Sequence, residues 1–372
     1  MVSVYNKRKE IEPHTSAALV RSSAHQLAPL ITQLGGNRAP WLRGYQVKSI
    51  DGNCLEARAH RLAVLRGVDA GALPGKALVV SAPAQGVVRD VCPCEDGHAQ
   101  ERSLVGCVLK TVQAGDLWMA DRHFCTRDLL CDMDARGACF VIREHRGLPF
   151  EILTPLRPRG RVETGKMAEQ RVRGVDGQGG AQTFRRLRIQ LDHATRDGAT
   201  VLSILTNVPA RTVSAKRVAR LYRTRWTLET AFQPLEAYFH AAINTLAYPK
   251  AALFGFCLAL VASNIVAVVL AALRGGHGQE SVDEEVSLSS IATDIATTYH
   301  GMMIAIPEVE WDVFARMRTS DMVATLLDLA RRVNLRAYRK SPRGPKKPRP
   351  KCDGSSKQGH GSTAKLLMAR HG

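Results

Sequence analysis

The longest uncharged segment limits most strongly what this chain can fold into. Residues 251–273 (AALFGFCLALVASNIVAVVLAAL) contain no Asp, Glu, Lys or Arg over 23 positions. A helix of that length can span a bilayer, but a helix that is apolar on all sides also forms the centre of a large soluble domain. Ser263 and Asn264 interrupt the stretch, and Lys250 and Arg274 flank it symmetrically. We therefore interpret it as a buried core helix and expect no membrane association.

The length and charge of the chain favour a nucleic-acid partner. Its 372 residues suffice for two domains or for one large domain with an insertion. The net charge is +18, and residues 331–351 alone hold ten Lys or Arg and no acid. This segment and the residues after it predict an unfolded cationic arm that neutralises phosphates. A tail that only improves solubility is the alternative.

Strand-like and helical segments alternate and predict an α/β fold. Strand candidates occupy residues 45–50, 77–81, 86–91, 117–120 and 138–143, with a helix predicted over 101–112. The stretch 156–181 is rich in Gly and Arg and is interpreted as mobile loops, ahead of strands over 183–191 and 200–208. The expected parts are a short N-terminal helical segment (1–43), the first part of the catalytic core (44–148), a β-rich insertion (149–212), two core helices (213–275), C-terminal helices (276–338) and a disordered basic tail (339–372).

Three acidic residues form the candidate reaction centre. Asp51 and Asp121 each end a predicted strand, and Glu229 lies in a predicted helix. Three carboxylates that converge repel one another by about 4 kcal/mol per pair at 4 Å and an effective dielectric near 20. A hard divalent cation removes that cost, because carboxylate oxygens are the ligands that Mg²⁺ and Mn²⁺ prefer. The trio therefore predicts a Mg²⁺ or Mn²⁺ site for phosphoryl transfer.

The helix that carries Glu229 is the most informative motif. Tyr222, Arg225 and Glu229 are three and four residues apart and so share one helix face. Glu229 is predicted to hold metal, while Tyr222 and Arg225 hold the phosphates of a DNA end. Arg225 and Glu229 as a surface ion pair remain the alternative. Trp226 is a candidate for stacking on an unpaired base or for packing in the core.

The run 221–235 (LYRTRWTLETAFQPL) resembles the signature of the insertion-sequence-4 family of DDE transposases: Tyr, two residues, Arg, three residues, then the catalytic Glu. The contexts of Asp51 (SIDGN) and Asp121 (GDLWMADRHF) resemble that family's two catalytic Asp motifs. The resemblance implies a ribonuclease-H-like core, a mixed sheet flanked by helices, interrupted by a β-rich insertion. It also implies Mg²⁺-dependent cleavage and strand transfer at terminal inverted repeats, a homodimer that binds these ends and target DNA, and a bacterial cytoplasmic, nucleoid-associated location.

Three features depart from the family pattern. Glu236 stands where many members carry a Lys that contacts phosphate, Pro234 lies inside the predicted helix, and only 50 residues precede Asp51. A truncated or catalytically decayed copy that binds DNA without cutting it is therefore the alternative function. A structural nucleic-acid-binding protein that relies on the basic tail alone is a third.

The nine cysteines are predicted to be free thiols in a reducing compartment, because their number is odd and they are scattered. Cys92, Cys94 and His98 lack the second pair of ligands that a zinc site requires. Cys125 or Cys131 as a nucleophile, with His123 as base, lacks a group that would orient or activate it.

Overall fold

The computed structural model describes residues 7–8, 10–57, 71–175, 181–195, 198–225, 248–341 and 360–371. The strands are β1 (Gln46–Ala57), β2 (Gly71–Ala82), β3 (Val87–Cys94), β4 (Asp116–Ala120), β5 (Cys139–Arg143), β6 (Glu151–Ile152), β7 (Arg157–Val162), β8 (Gly165–Val175), β9 (Ala181–Leu191), β10 (Val201–Thr206) and β11 (His360–Ser362). The α-helices are α1 (Pro13–Gln33), α2 (Val105–Leu109), α3 (Arg127–Ala135), α4 (215–225), α5 (Pro249–His277), α6 (Gln279–Glu285), α7 (Leu288–Ala305), α8 (Asp312–Ala315), α9 (Thr319–Arg332) and α10 (Thr363–His371). Short 3-10 helices occupy Glu101–Leu104, Arg122–Phe124, Glu308–Trp311 and Leu335–Tyr338.

The described strands form one mixed sheet, mostly antiparallel, with helices on both faces. Its main path runs β11-β2-β1-β4-β5-β10-β9-β8-β6, with β3 on β2 and β7 on β8. Strand β1 pairs antiparallel with β2, whereas β4 is parallel to both β1 and β5. The α/β expectation is therefore confirmed at this level.

Alternating side chains divide the core between the two faces of the sheet. On one face, Ile50 and Trp118 pack with Leu130 from α3. On the other face, Met119 packs with Tyr222 from α4. Further along that second face, Val79 packs with residues from α1 and α5. Helices α1, α4 and α5 thus cover the face opposite to α2 and α3.

The stretch 156–181 differs from the prediction of mobile loops, since most of its described residues belong to strands β7 and β8. Its alternation is carried by Arg and Glu rather than by apolar residues, which hid it from a hydrophobic pattern. Glu169 is buried between two arginines, with its carboxylate 2.7 Å from Nε of Arg159 and 2.6 Å from Nε of Arg185. Because a buried charge is tolerated only when paired, this triplet supports an ordered β-structure.

The C-terminal segment also differs from the prediction of a disordered tail. Residues His360–Ser362 form β11, which pairs in parallel with β2, and α10 follows directly. Thr363 is fully buried, so this end of the chain packs against the sheet. The basic residues of 342–359 lie outside the described residues. The helix predicted over 101–112 is shorter, a 3-10 turn followed by α2.

One pair of cysteines is not free. Cys92 on β3 and Cys107 on α2 form a disulfide with their Cα atoms 6.2 Å apart. The prediction of free thiols is wrong for this pair, since residues 15 apart in sequence meet only after β3 and α2 pack together. Cys54, Cys94, Cys125, Cys139 and Cys257, also in the described part of the chain, are free thiols.

The apolar segment forms the 29-residue helix α5, which packs against α1 and β3. It is the one helix within the described ranges that is long and apolar enough to cross a membrane, and 56% of its most apolar window is buried inside the protein. Asn264 is fully buried. Its amide accepts from the Val88 N–H at 2.7 Å and donates to the Val88 carbonyl and to the Ser23 hydroxyl. These three hydrogen bonds, called the polar clasp below, fix α5 on the edge strand β3 and on α1.

Replacing Asn264 by Leu should lower the free energy of unfolding by about 2–4 kcal/mol, because the Val88 N–H and C=O lose partners that water cannot replace. The change is measured from the urea midpoint. Ser263→Ala, at the adjacent half-buried position, is the matched control and should stay within about 0.5 kcal/mol of the parent protein. Equal stability of the two variants would show that the clasp does not anchor α5.

The turn after α1 depends on a close backbone approach. A Cβ at Gly36 would overlap the Cα and Cβ of Ala271 on α5. Gly36→Ala should therefore cost about 1–3 kcal/mol of stability, measured by thermal unfolding. Gly301→Ala is the control, because a Cβ there meets nothing in the interior of α7, and Ala stabilises a helix by about 0.5–1 kcal/mol relative to Gly. A destabilisation as large in Gly301→Ala would refute this account.

Candidate functional site

Asp51 and Asp121 lie at the same level of two neighbouring parallel strands. The register pairs Lys48 with Trp118 and Ser49 with Met119. Each Asp therefore comes two residues after the last paired position. Adjacent strands are about 4.8 Å apart, so continuing the register past that pair brings the two backbones side by side. Strand β1 continues beyond Asp51 to Ala57, whereas β4 ends at Ala120 and Asp121 begins a 3-10 turn.

Both aspartates face the side of the sheet that α4 covers. Side chains two residues apart in a strand point to the same face of the sheet. Asp51 therefore points to the same face as Ser49, and Asp121 to the same face as Met119. Asp121 keeps an extended backbone, with φ −79° and ψ 173°, so the alternation holds as far as its side chain. Met119 belongs to the same buried cluster as Tyr222 of α4. Two carboxylates that are far apart in sequence therefore face the same side of the sheet as α4, the helix that carries Tyr222 and Arg225.

Tyr222 and Arg225 are buried beside Asp121. Their exposed fractions are 2% and 4%, and Cζ of Arg225 lies 5.7 Å from the centroid of the Tyr222 ring. Burial raises the pKa of Tyr222 to about 12; the charge of Arg225 opposes that rise and the carboxylate of Asp121 adds to it. The phenol is therefore neutral at physiological pH and can donate its proton in a hydrogen bond.

Two buried oxygens at this point have no hydrogen-bond partner among the described residues. They are Oδ1 of Asp121 and the hydroxyl of Tyr222. An unsatisfied buried polar atom costs about 1–3 kcal/mol, and more if it is charged. Such atoms in a native fold call for an explanation, and an ion or ligand at the site is one.

The opposite side of the Asp51–Asp121 edge carries positive charge. A cleft of about 420 Å³ is lined there by Lys76, Gln100, Glu101, Arg102, Arg122, His123, Cys125, Thr126 and His145. Arg122 and His123 follow Asp121 directly in the 3-10 turn. Arg122 and Arg102 form no ion pair with any of the described residues. The edge can therefore attract a polyanion next to the two aspartates.

Glu101 is an acidic group that the sequence analysis did not single out. Its carboxyl group lies so close to Gly52 that a Cβ at residue 52 would overlap it. Glycine at this position thus admits a carboxylate on the face of the sheet opposite to the Asp51 side chain. No sequence signal marks Glu101, since the contact joins β1 to a 3-10 turn about fifty residues away. In contrast, the sequence does carry a signal for Arg122, because this residue directly follows the predicted site residue Asp121.

The predicted site residues have different outcomes. The structure gathers Asp51, Asp121, Tyr222 and Arg225 on one face of the sheet at one edge. The predictions for Glu229 and Trp226, and for Pro234 and Glu236, fall on positions outside the described residues. Within the described part of the chain, no group of three His, Cys, Asp or Glu side chains could hold a metal ion.

A thiol nucleophile is unsupported at this edge. Cys125 is 4% exposed, and burial raises the pKa of its thiol to about 12. Reactive cysteines need a lowered pKa and access to solvent. The rejection of Cys125 as a nucleophile in the sequence analysis is therefore consistent with its environment.

Comparison with known protein families assigns the chain to a family. The family model of the transposase DDE domain matches residues 45–265, more than half of the chain. The chain belongs to this family of DDE transposases. No curated protein matches the chain in a direct comparison. The matched range begins just before β1 and ends inside α5, so it contains Asp51, Asp121 and the Tyr-Arg helix.

Membership of the DDE transposase family carries chemical consequences. It indicates a transposase-type nuclease with DNA as its partner, in a family that generally uses divalent metal ions. The mostly antiparallel sheet flanked by helices is compatible with such a domain. The basic edge beside the two aspartates has the charge that binding DNA phosphates requires.

Replacing Tyr222 by Phe should change how stability depends on pH. The phenol is neutral in both states below pH 10. Between pH 10 and about 12 only the unfolded chain ionises, so the parent protein loses stability there. The variant should lack up to about 2–3 kcal/mol of this loss and be at least as stable at pH 7. Urea unfolding at pH 7 and at a pH between 10 and about 12 measures the stability of both proteins.

Tyr299→Phe is the matched control, because the Tyr299 side chain is 56% exposed. This variant should follow the parent protein at both pH values. If Tyr222→Phe also followed the parent protein, the Tyr222 hydroxyl would not be held in a desolvated environment beside Asp121.

Proposed function

We propose that this protein is a transposase of the insertion-sequence-4 family that cleaves the ends of a mobile element and joins them to target DNA. The observation that carries the proposal is the parallel register of β1 and β4, which aligns Asp51 with Asp121 on the face that Tyr222 and Arg225 share. The Tyr-x2-Arg-x3-Glu spacing then assigns Glu229 as the third catalytic acid.

Two of the three proposed ligands, Asp51 and Asp121, lie among the described residues and fit a divalent metal ion; the third, Glu229, lies outside them. Oδ1 of Asp121 is buried and has no hydrogen-bond partner in the described part of the chain, and Asp51 is its neighbour in register. Asp51, Asp121 and Glu229 would hold Mg²⁺ or Mn²⁺, which are bound through carboxylate oxygens. When bound, such ions activate a water or a 3′-hydroxyl and stabilise the leaving oxygen.

The other side chains act on the DNA. The neutral Tyr222 hydroxyl donates to a phosphate oxygen, and Arg225 supplies positive charge from the same helix face. Arg122 and Arg143 add positive charge at the strand ends, where the substrate backbone must pass. Trp226, next to Arg225 in sequence, stacks on a base that leaves the duplex.

The finer architecture and partners belong to the same proposal. A core of β1 to β5 in the order 3-2-1-4-5 supports a ribonuclease-H-like assignment, and strands β6 to β10, within 149–212, support a β-rich insertion that extends the sheet. Exposed apolar side chains along α7 and α8, including Ile304 and Val313, support a homodimer that brings two terminal inverted repeats together. The protein acts on its element and target DNA in the bacterial cytoplasm, at the nucleoid.

A second function is a decayed copy that binds DNA without cutting it. The observation that favours it is Glu236, which puts a negative charge where many family members have a lysine that contacts phosphate. Pro234, five residues after Glu229, adds a helix break near the third acid. Activity of the unaltered protein separates the two functions.

Asp121→Asn should abolish Mg²⁺- or Mn²⁺-dependent nicking and joining of an oligonucleotide that carries the element's ends, and should leave DNA affinity within about twofold. Mn²⁺ should raise the melting temperature of the parent protein, and Asp121→Asn should remove that rise, because the variant loses a charged metal ligand. Asp128→Asn is the matched control, since Asp128 is an exposed acid in the first turn of α3.

Cleavage retained in Asp121→Asn would remove Asp121 from the mechanism. DNA binding without cleavage by the parent protein in either metal would establish the decayed copy instead.

A further inference from the structure

A large cleft lies away from the Asp51–Asp121 edge. It has a volume of about 880 Å³ and is bounded by α1, residues 37–48, the β2–β3 turn and the segment after α2. Gln46 and Lys48, at the start of β1, line it. Asp51 lies three to five residues further along that strand, which corresponds to about 10–17 Å. The cleft is therefore a separate site at the N-terminal end of the strand that carries Asp51.

The charges that line this cleft are predominantly positive. The basic lining residues are Arg21, His25, Arg38, Lys48, Arg89 and Lys110, and the only acidic lining residue among the described residues is Asp90. Three of these bases are neutralised within the fold. Arg21 pairs with Asp90 at 2.6 Å, Arg38 with Asp283 at 3.0 Å and Lys48 with Asp116 at 2.7 Å.

Arg89 and Lys110 are left with positive charge that no acid in the described part of the chain offsets. Arg89 is half-buried, and its guanidinium donates to Oε1 of Gln85, a neutral amide. Burial lowers the pKa of Arg89, as expected for a cation that loses water without gaining a counter-ion. Lys110 is exposed at the rim. A desolvated cation and an exposed one that line the same cleft favour an anionic ligand long enough to reach both.

Aromatic and amide side chains complete the lining. Trp41 and Tyr45 pack against the core on one side and border the cleft on the other. Asn37 and Gln113 are exposed and supply neutral hydrogen-bonding groups. A positively charged groove with aromatic faces is the arrangement that binds a nucleic acid strand without regard to its sequence. The volume lies in the upper part of the range for ligand pockets, about 300–1,000 Å³, and has room for a short piece of strand.

From these observations we infer that this cleft is a second DNA-binding site, which holds the phosphodiester backbone between Arg89 and Lys110 at a distance from the catalytic edge. The inference rests on the proposed function for the identity of the polyanion. It adds a contact that neither the catalytic carboxylates nor the Tyr-Arg helix makes.

The test uses the full chain carrying Asp121→Asn, without divalent metal, so that cleavage cannot interfere with binding. Anisotropy of labelled single-stranded and duplex oligonucleotides is followed over a salt series for Arg89→Gln/Lys110→Gln. The matched control is Arg316→Gln/Arg332→Gln, which removes the same charge from two exposed arginines (82% and 72% exposed side chains) that lie outside the cleft.

The cleft variant should bind about tenfold more weakly at moderate salt, and the slope of log K against log salt should fall by about 1.8, or 0.9 for each lost phosphate contact on duplex DNA. The control should stay within about twofold with an unchanged slope. The charge-conserving Arg89→Lys/Lys110→Arg should keep the parent slope. If the double variant does not fold, Lys110→Gln alone should lower the slope by about 0.9.

Each other outcome is decisive. Equal slopes for the cleft variant and its control would overturn the second site while leaving the proposed function intact. A labelled nucleoside triphosphate is titrated in parallel; if the cleft variant lost binding only to it, with DNA binding unaffected, the cleft would be a mononucleotide pocket and the inference would be overturned as well. Absence of DNA binding by the parent Asp121→Asn protein would instead refute the proposed function.

Discussion

The parallel pairing of β1 with β4 is the constraint on which the candidate site depends. Two strands far apart in sequence present Asp51 and Asp121 at one level and on one face because their register is in step. A slip of one residue would turn one carboxylate to the opposite face of the sheet. Ile50 and Trp118 oppose such a slip, because both are fully buried in one cluster on the other face and a slip would remove one of them from that cluster.

Buried polar groups hold the helices that frame this sheet. Asn264 ties α5 to β3 and α1 through three hydrogen bonds. Farther along α5, the buried Arg274 pairs with the carboxylate of Asp283, which also pairs with the half-buried Arg38 from the segment after α1. Burial alone would raise the pKa of Asp283, but the two arginines lower it. Each charge there is paired, as burial demands. Unlike the amide of Asn264, Oδ1 of Asp121 and the hydroxyl of Tyr222 have no hydrogen-bond partner among the described residues.

Local patterns predicted most of the core strands, because β1 to β5 are apolar or alternate and end at recognisable residues. They failed for β7 and β8, where arginines alternate with buried side chains and Glu169 is neutralised by Arg159 and Arg185. They failed also for β11 and α10, whose order comes from pairing with β2 rather than from their composition. The Cys92–Cys107 disulfide and the approach of Glu101 to Gly52 are contacts between separate elements, which no local pattern encodes.

The sequence alone determined the residue types of the site and their local spacing. The i, i+3 placement of Tyr222 and Arg225 on one helix face follows from helix geometry, and the apolar composition of 251–273 made a long buried helix the expected structure. Only the tertiary structure decided which face of the sheet Asp51 and Asp121 share and that Tyr222 is desolvated beside Asp121. It also decided that Arg89 lines a cleft in which no described acid pairs with it. These properties depend on strand register and burial, which arise when distant segments pack.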